Sequence, residues 1–73
     1  MSYGKVIEKI RKEKNMSQRA FGDLVQLDHT YIGQLEKEIA KGKPLNPTIT
    51  TLKQICDRSG YSFKEFLEEA GYI

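Results

Sequence analysis

Three polar side chains that can both donate and accept hydrogen bonds lie between residues 29 and 34. His29, Thr30 and Gln34 occupy the outer face of a segment whose apolar residues recur at helical spacing. A glutamine on such a face can pair with adenine N6 and N7, which discriminates between bases by about 1–3 kcal/mol. We therefore predict base contacts by His29, Thr30 and Gln34 in a DNA major groove; the alternative is an ordinary solvated helix face.

Basic side chains flank this segment. Arg19 precedes it, and Lys37, Lys41 and Lys43 follow it. We predict that these four contact phosphate, although a solvated charged surface would have the same composition. The net charge of +2 is too small to decide between the two.

Residues 17–36 hold two short helical patterns separated by a break of about three residues, the arrangement of a helix-turn-helix. Ser17 and Asp28 can cap the two helices with side-chain oxygens. Gly22 lies inside the first pattern, where only a very small residue would let the second helix cross closely.

The remaining segments predict three more helices, and no run of four or more residues alternates as a β-strand would. The first helix runs from about Ser2 to Lys14 and stops at Asn15, the fourth is capped by Thr48 and ended by Gly60, and the fifth lies between Ser62 and Gly71. Residues 41–47 hold both prolines and predict a loop, with Gly42 as the terminator of helix three. The side chains expected to face inward include Ile32, Leu35, Ile39, Ile49, Leu52, Ile55 and Cys56.

Composition restricts the class of protein. At 73 residues, 38% hydrophobic and 30% charged, the chain predicts one globular domain, residues 1–73, with a small core. It has no apolar run of membrane-spanning or signal-peptide length, so we expect a cytoplasmic protein. Cys56 is the only cysteine and His29 the only histidine, so we expect no disulfide, metal site or cofactor. No set of catalytic side chains has a supporting context, so we expect a protein that is not an enzyme.

The order and spacing of several short motifs resemble those of the Cro/C1-type (Xre-like) helix-turn-helix regulators, which include lambdoid phage repressors and many small bacterial and plasmid regulators. The motifs are Ser17-Gln18, Tyr31-Ile32-x-x-Leu35-Glu36, Pro47-Thr48 and a following helix with Leu52; the similarity extends from about Val6 to Leu67. It implies an all-α, compact five-helix domain of the lambda-repressor type. The function it implies is a repressor-like regulator that binds a palindromic double-stranded DNA operator as a homodimer. By position, Gln18 would contact the DNA backbone, and Arg11 would form an ion pair with Glu36.

The chain departs from the family pattern in three places. Gln26 stands where the turn usually has a left-handed glycine, a conformation that costs other residues about 1–2 kcal/mol. Gly33 interrupts the outer face of helix three, at about 1 kcal/mol relative to alanine. Residues 37–47 exceed the usual short connection, which predicts either an extended helix three or an enlarged loop facing phosphate.

Two further expectations concern partners. The C-terminal region carries more apolar surface than a small core needs, and we predict that Phe66, Tyr72 and Ile73 contribute to a dimer contact. We see no segment that would bind a small-molecule ligand. The alternative function is a helix-turn-helix module, antitoxin-like or regulator-binding, that binds another protein without reading DNA; the weak charge, Gln26 and Gly33 are compatible with it.

Overall fold

The computed structural model describes residues 2–73 and contains the five predicted helices. They are α1 (Tyr3–Glu13), α2 (Gln18–Val25), α3 (His29–Lys37), α4 (Ile49–Ser59) and α5 (Phe63–Ala70). Between α3 and α4 the chain forms β1 (Ile39–Ala40) and β2 (Lys43–Pro44), an antiparallel pair. Each strand is only two residues long, so alternation of apolar and polar residues could not reveal it.

Side-chain caps fix where four of the helices begin. Ser17 Oγ accepts from Ala20 N at 3.0 Å, Asp28 Oδ2 from Thr30 N at 2.9 Å, and Thr48 Oγ1 from Thr51 N at 3.2 Å. Each cap satisfies an N–H group of the first turn that has no partner within the helix. Ser62 Oγ accepts in the same way from Glu65 N at 3.2 Å at the start of α5. The caps predicted at Ser17, Asp28 and Thr48 are therefore formed.

Helix α3 ends earlier than its terminator was predicted to lie. Glu38 follows the helix in the left-handed conformation, with φ 60°, and turns the chain into β1. Gly42 does not terminate the helix; it lies in the turn between the strands at φ 75°, next to Lys41 at φ 52°. Residues 38–47 thus form a hairpin and loop rather than an extension of helix three.

One apolar core is shared by all five helices. Its fully buried members are Phe21, Phe66, Ile7, Ile10, Ile32, Leu35, Leu52, Ile55, Val25 and Cys56. Cys56 is fully buried among them and is a small apolar core residue, as predicted. This burial raises the pKa of its thiol to about 11.

Three apolar residues lie elsewhere than predicted. Ile39 is 44% exposed because the chain leaves the helical path at Glu38, and Ile49 is 54% exposed as the first residue of α4. Phe66, by contrast, is fully buried in the core of its own protomer, so it is not available for a dimer contact and that part of the prediction is wrong. Tyr72 is half-buried and Ile73 is 71% exposed.

The hairpin is attached to the helices at its base. Leu45 N donates to Glu38 O at 3.1 Å, and the Tyr3 hydroxyl of α1 donates to Leu45 O. The Glu38 carboxylate in turn accepts from Gly4 N, in the first turn of α1, at 3.0 Å. These contacts hold the hairpin beside the C-terminal end of α3.

None of the helices described over residues 2–73 has the length and apolar character needed to cross a membrane.

Candidate nucleic-acid interface

The start of helix α3 and the turn before it pack tightly against α2 at Gly22. A Cβ atom at this position would lie 2.6 Å from the carbonyl oxygen of Leu27 and 3.3 Å from Cα of His29. The first distance is shorter than any ordinary van der Waals contact, so alanine cannot be placed there without displacing the turn. The prediction that Gly22 permits the close crossing is confirmed.

The turn between these helices has the left-handed geometry despite lacking glycine. Gln26 adopts φ 61° and ψ 45°, at a cost of about 1–2 kcal/mol. Gln54 of α4 donates from Nε2 to Val25 O at 2.8 Å and to Gln26 O at 3.4 Å. A hydrogen bond of this kind contributes about 0.5–1.5 kcal/mol net, so Gln54 offsets much of the strain and ties the turn to α4.

A two-pronged ion pair connects α1 to α3. Arg11 Nε lies 2.6 Å from Glu36 Oε2, and Arg11 Nη2 lies 3.0 Å from Glu36 Oε1. The side chains are 13% and 4% exposed, and hydrogen bonding to Glu36 raises the pKa of Arg11. Arg11 Nη1 also donates to Met16 O at 3.0 Å, just before α2. The pair implied by the resemblance is therefore formed, and its geometry fixes the orientation of α3 relative to α1.

Gly33 and Gln18 are packed against each other at the α2–α3 interface. Gln18 Nε2 donates to Glu36 Oε1 at 3.2 Å, and a Cβ atom on Gly33 would lie 3.2 Å from Gln18 Oε1. The missing side chain at Gly33 therefore leaves room for Gln18 to reach Glu36. This contact within the protein gives a reason for glycine on the outer face of α3.

An open recess of about 440 Å³ lies along the outer face of α3, between the helix and the hairpin. His29 and Thr30 are exposed in the first turn, and Gln34 is half-buried one turn further along. The recess brings together most of the predicted contact residues; its lining consists of Gln18, His29, Thr30, Gly33, Gln34, Lys37, Ile39, Ala40 and Lys41. Arg19 and Lys43 are exposed but lie outside this lining.

Sequence reasoning missed one wall of the recess. Ile39 and Ala40 form it, on strand β1. Helical periodicity assigned Ile39 to the core, and no signal in the sequence marks the left-handed turn at Glu38 that redirects it. Gln54 was missed for a similar reason, since its contact with the turn depends on how α4 packs.

Elsewhere in residues 2–73, the acidic, histidine and cysteine side chains form no group of three or more that could hold a metal ion.

Two short helices that cross at a glycine are typical of a helix-turn-helix, and comparison with known protein families gives the same result. A model of the helix-turn-helix family HTH_3 matches residues 7–66, which is most of the chain. The chain belongs to this helix-turn-helix family. The resemblance to Cro/C1-type regulators is thereby confirmed.

Curated relatives carry the name of a transcriptional regulator. The chain is 32% identical over 66 residues to the HTH-type transcriptional regulator PuuR of Escherichia coli K12, and equally to PuuR of Shigella flexneri. The match includes 90% of this chain but 33% of each relative, so the chain spans about one third of the length of these regulators.

Solved structures share the fold. The clp gene regulator ClgR from C. glutamicum superposes with a TM-score of 0.80 at 20% identity, over 96% of this chain and 84% of that one. An HTH_3 family transcriptional regulator from Vibrio cholerae gives a TM-score of 0.78 at 25% identity, over 93% of this chain and 35% of that one. The predicted all-α, five-helix fold of the lambda-repressor type is confirmed, with a small hairpin added.

Proposed function

We propose that this chain is a sequence-specific DNA-binding domain of a transcriptional regulator, with α3 lying in the major groove. The observation that carries the proposal is the recess beside α3, where side chains able to hydrogen-bond to bases lie next to lysines. Membership of the helix-turn-helix family supports the same class of protein. A regulator of this kind acts where the chromosome is, and we propose the cytoplasm of a bacterial or phage-infected cell.

The proposed base contacts come from two successive turns of α3. His29 and Thr30 are in the first turn, the part of a recognition helix that approaches base edges in this docking mode. Gln34 lies four residues beyond Thr30, about 6 Å along the helix axis. That distance is close to two base-pair steps of about 3.4 Å, so Gln34 would contact a base about two pairs away from that of Thr30.

The proposed phosphate contacts surround the recess. Lys37 and Lys41 are in its lining, whereas Arg19 on α2 and Lys43 on β2 are exposed outside it. Each neutralised phosphate contributes about 0.9 to the slope of log affinity against log salt, so these four cations give a slope of about 3.6 per protomer. Gln18, at the start of α2, would add an uncharged contact to the backbone.

We further propose that the regulator binds a palindromic operator as a homodimer and acts in a repressor-like manner. The Cα atoms of one protomer span 28 × 26 × 19 Å, so one protomer covers less than the roughly 34 Å between half-sites one helical turn apart. Tyr72 and the exposed Ile73 remain the candidates for the dimer contact after Phe66 is excluded. Repression by such a dimer needs only that it occupies the site and excludes other proteins.

Selection from randomised duplex DNA, followed by binding across a salt series, tests the proposal. We expect a palindrome, a complex with two protomers, and a salt slope that falls by about 0.9 per protomer in Lys41→Gln. Lys64→Gln, an exposed lysine of α5 remote in sequence from the recess, is the matched control and should leave the slope unchanged. No enriched sequence and no salt dependence would contradict the proposal and favour the protein-binding module instead.

A further inference from the structure

Ile39 is the largest apolar side chain in the lining of the recess beside α3. It is 44% exposed, and it lines the same recess as Gln34 and Lys41. Its position two residues beyond the end of α3 places it just past the proposed base-contact residues along the chain. If DNA occupies this recess, Ile39 will face it beside Gln34 and Lys41. The question is which apolar group of DNA could pack against the isoleucine.

The backbone around Ile39 is held in place on both sides. Glu38 takes the left-handed conformation that ends α3, and Ile39 then pairs with Pro44 across the hairpin. Leu45, the next residue, donates to Glu38 O and accepts from the Tyr3 hydroxyl. These contacts fix the backbone that carries Ile39. A residue that discriminates between bases needs such a rigid support.

The major groove offers one apolar group of the right size, the C5-methyl of thymine. The other base edges there present hydrogen-bond donors and acceptors, which Ile39 cannot satisfy. Ala40 and Gly33 add small apolar surface to the recess, and Lys37 and Lys41 complement the adjacent phosphates.

We propose that Ile39 is a specificity-determining residue that contacts a thymine methyl group in each half-site. This inference rests on the proposed DNA-binding function. Because Ile39 lies five residues after Gln34, the thymine should lie on the side of the Gln34-contacted base that corresponds to the C-terminal end of α3.

The test compares duplexes that differ by single methyl groups. In the selected operator, each thymine of one half-site is replaced in turn by deoxyuridine, and affinity is measured for the wild type and for Ile39→Ala. One replacement should weaken wild-type binding about fourfold, the equivalent of burying about one methylene group, roughly 0.8 kcal/mol. Ile39→Ala should bind the two duplexes equally well, and Ile39→Val should retain part of the difference.

Ile49→Ala provides the matched control, because Ile49 is an isoleucine of similar exposure at the start of α4, outside the recess. It should retain the fourfold sensitivity to deoxyuridine. Three outcomes would overturn the role of Ile39 while leaving DNA binding intact. The selected operator could lack thymine, the wild type could be insensitive to every replacement, or Ile39→Ala could be as sensitive as the wild type. Failure to select any sequence refutes the proposed function, and the role of Ile39 with it.

Discussion

Substituting Glu36 by glutamine removes the charge that faces Arg11 while keeping the shape of the side chain. Glu36 is 4% exposed and accepts two hydrogen bonds from the guanidinium. Loss of one partner of a buried ion pair costs about 3–5 kcal/mol. Arg11 is 13% exposed and keeps its bond to Met16 O, so we expect the lower end, about 3 kcal/mol.

This cost is large for so small a domain. A chain of 73 residues has a free energy of unfolding of roughly 4–11 kcal/mol. A loss of about 3 kcal/mol therefore lowers the melting temperature by roughly 12–24 °C. Gln18 also loses the charge of its acceptor, so the contact between the start of α2 and α3 weakens at the same time.

Urea unfolding of the wild type, Arg11→Met, Glu36→Gln and the double variant measures how strongly the two side chains are coupled. We expect the double variant to lose at least about 2 kcal/mol less than the sum of the single variants, because it leaves no unpaired buried charge. The exposed pair Lys53–Asp57 on α4, with Nζ and Oδ2 2.9 Å apart, is the control; its coupling should be about 0.5 kcal/mol or less. Equal coupling in both pairs would refute the reasoning.

Three further predictions concern the helix-turn-helix and the core. Gly22→Ala should lower the free energy of unfolding, measured in urea, by about 1–3 kcal/mol because its Cβ meets the backbone of Leu27. Gly33→Ala should lower it by less, because the Gln18 side chain that it meets can move. Equal losses in the two variants would contradict this. Gln26→Gly should relieve part of about 1–2 kcal/mol of left-handed strain and raise the melting temperature. The Cys56 thiol should resist alkylation in the folded protein. Because burial raises its pKa from 9.0 to about 11, its contribution to stability is complete below pH 9 and declines as the pH rises toward 11.

The sequence predicts the helix-turn-helix well because its signals are local. Ser17 and Asp28 are good caps in their own right, and Gly22 stands out inside an otherwise regular helical pattern. Each of these features acts over a few residues, so the pattern and the structure agree. The ion pair between Arg11 and Glu36 was predictable only through the family resemblance, because nothing local connects two residues on separate helices.

The hairpin and the position of Ile39 could not be predicted from local signals. Helix α3 ends at Lys37, and the next residue, Glu38, turns the chain although its type has no preference for the left-handed conformation. Helical periodicity therefore continued past the end of the helix and placed Ile39 in the core. Ile49 fails similarly, because the first residue of a helix faces inward or outward according to how the helix packs. Gly4 carried no visible signal, although a Cβ there would lie 2.5 Å from the carbonyl oxygen of Glu36.

The central claim, that the outer face of α3 reads bases, is tested most directly by the specificity of Gln34→Ala. The measurement is the ratio of affinities for the selected duplex and for the same duplex with the contacted base pair exchanged, at one fixed salt concentration. We predict that the substitution lowers this ratio by roughly 5- to 150-fold, the equivalent of about 1–3 kcal/mol, without changing the affinity for unrelated DNA. A Gln34→Ala variant that keeps the wild-type ratio at every position of the half-site would contradict the account.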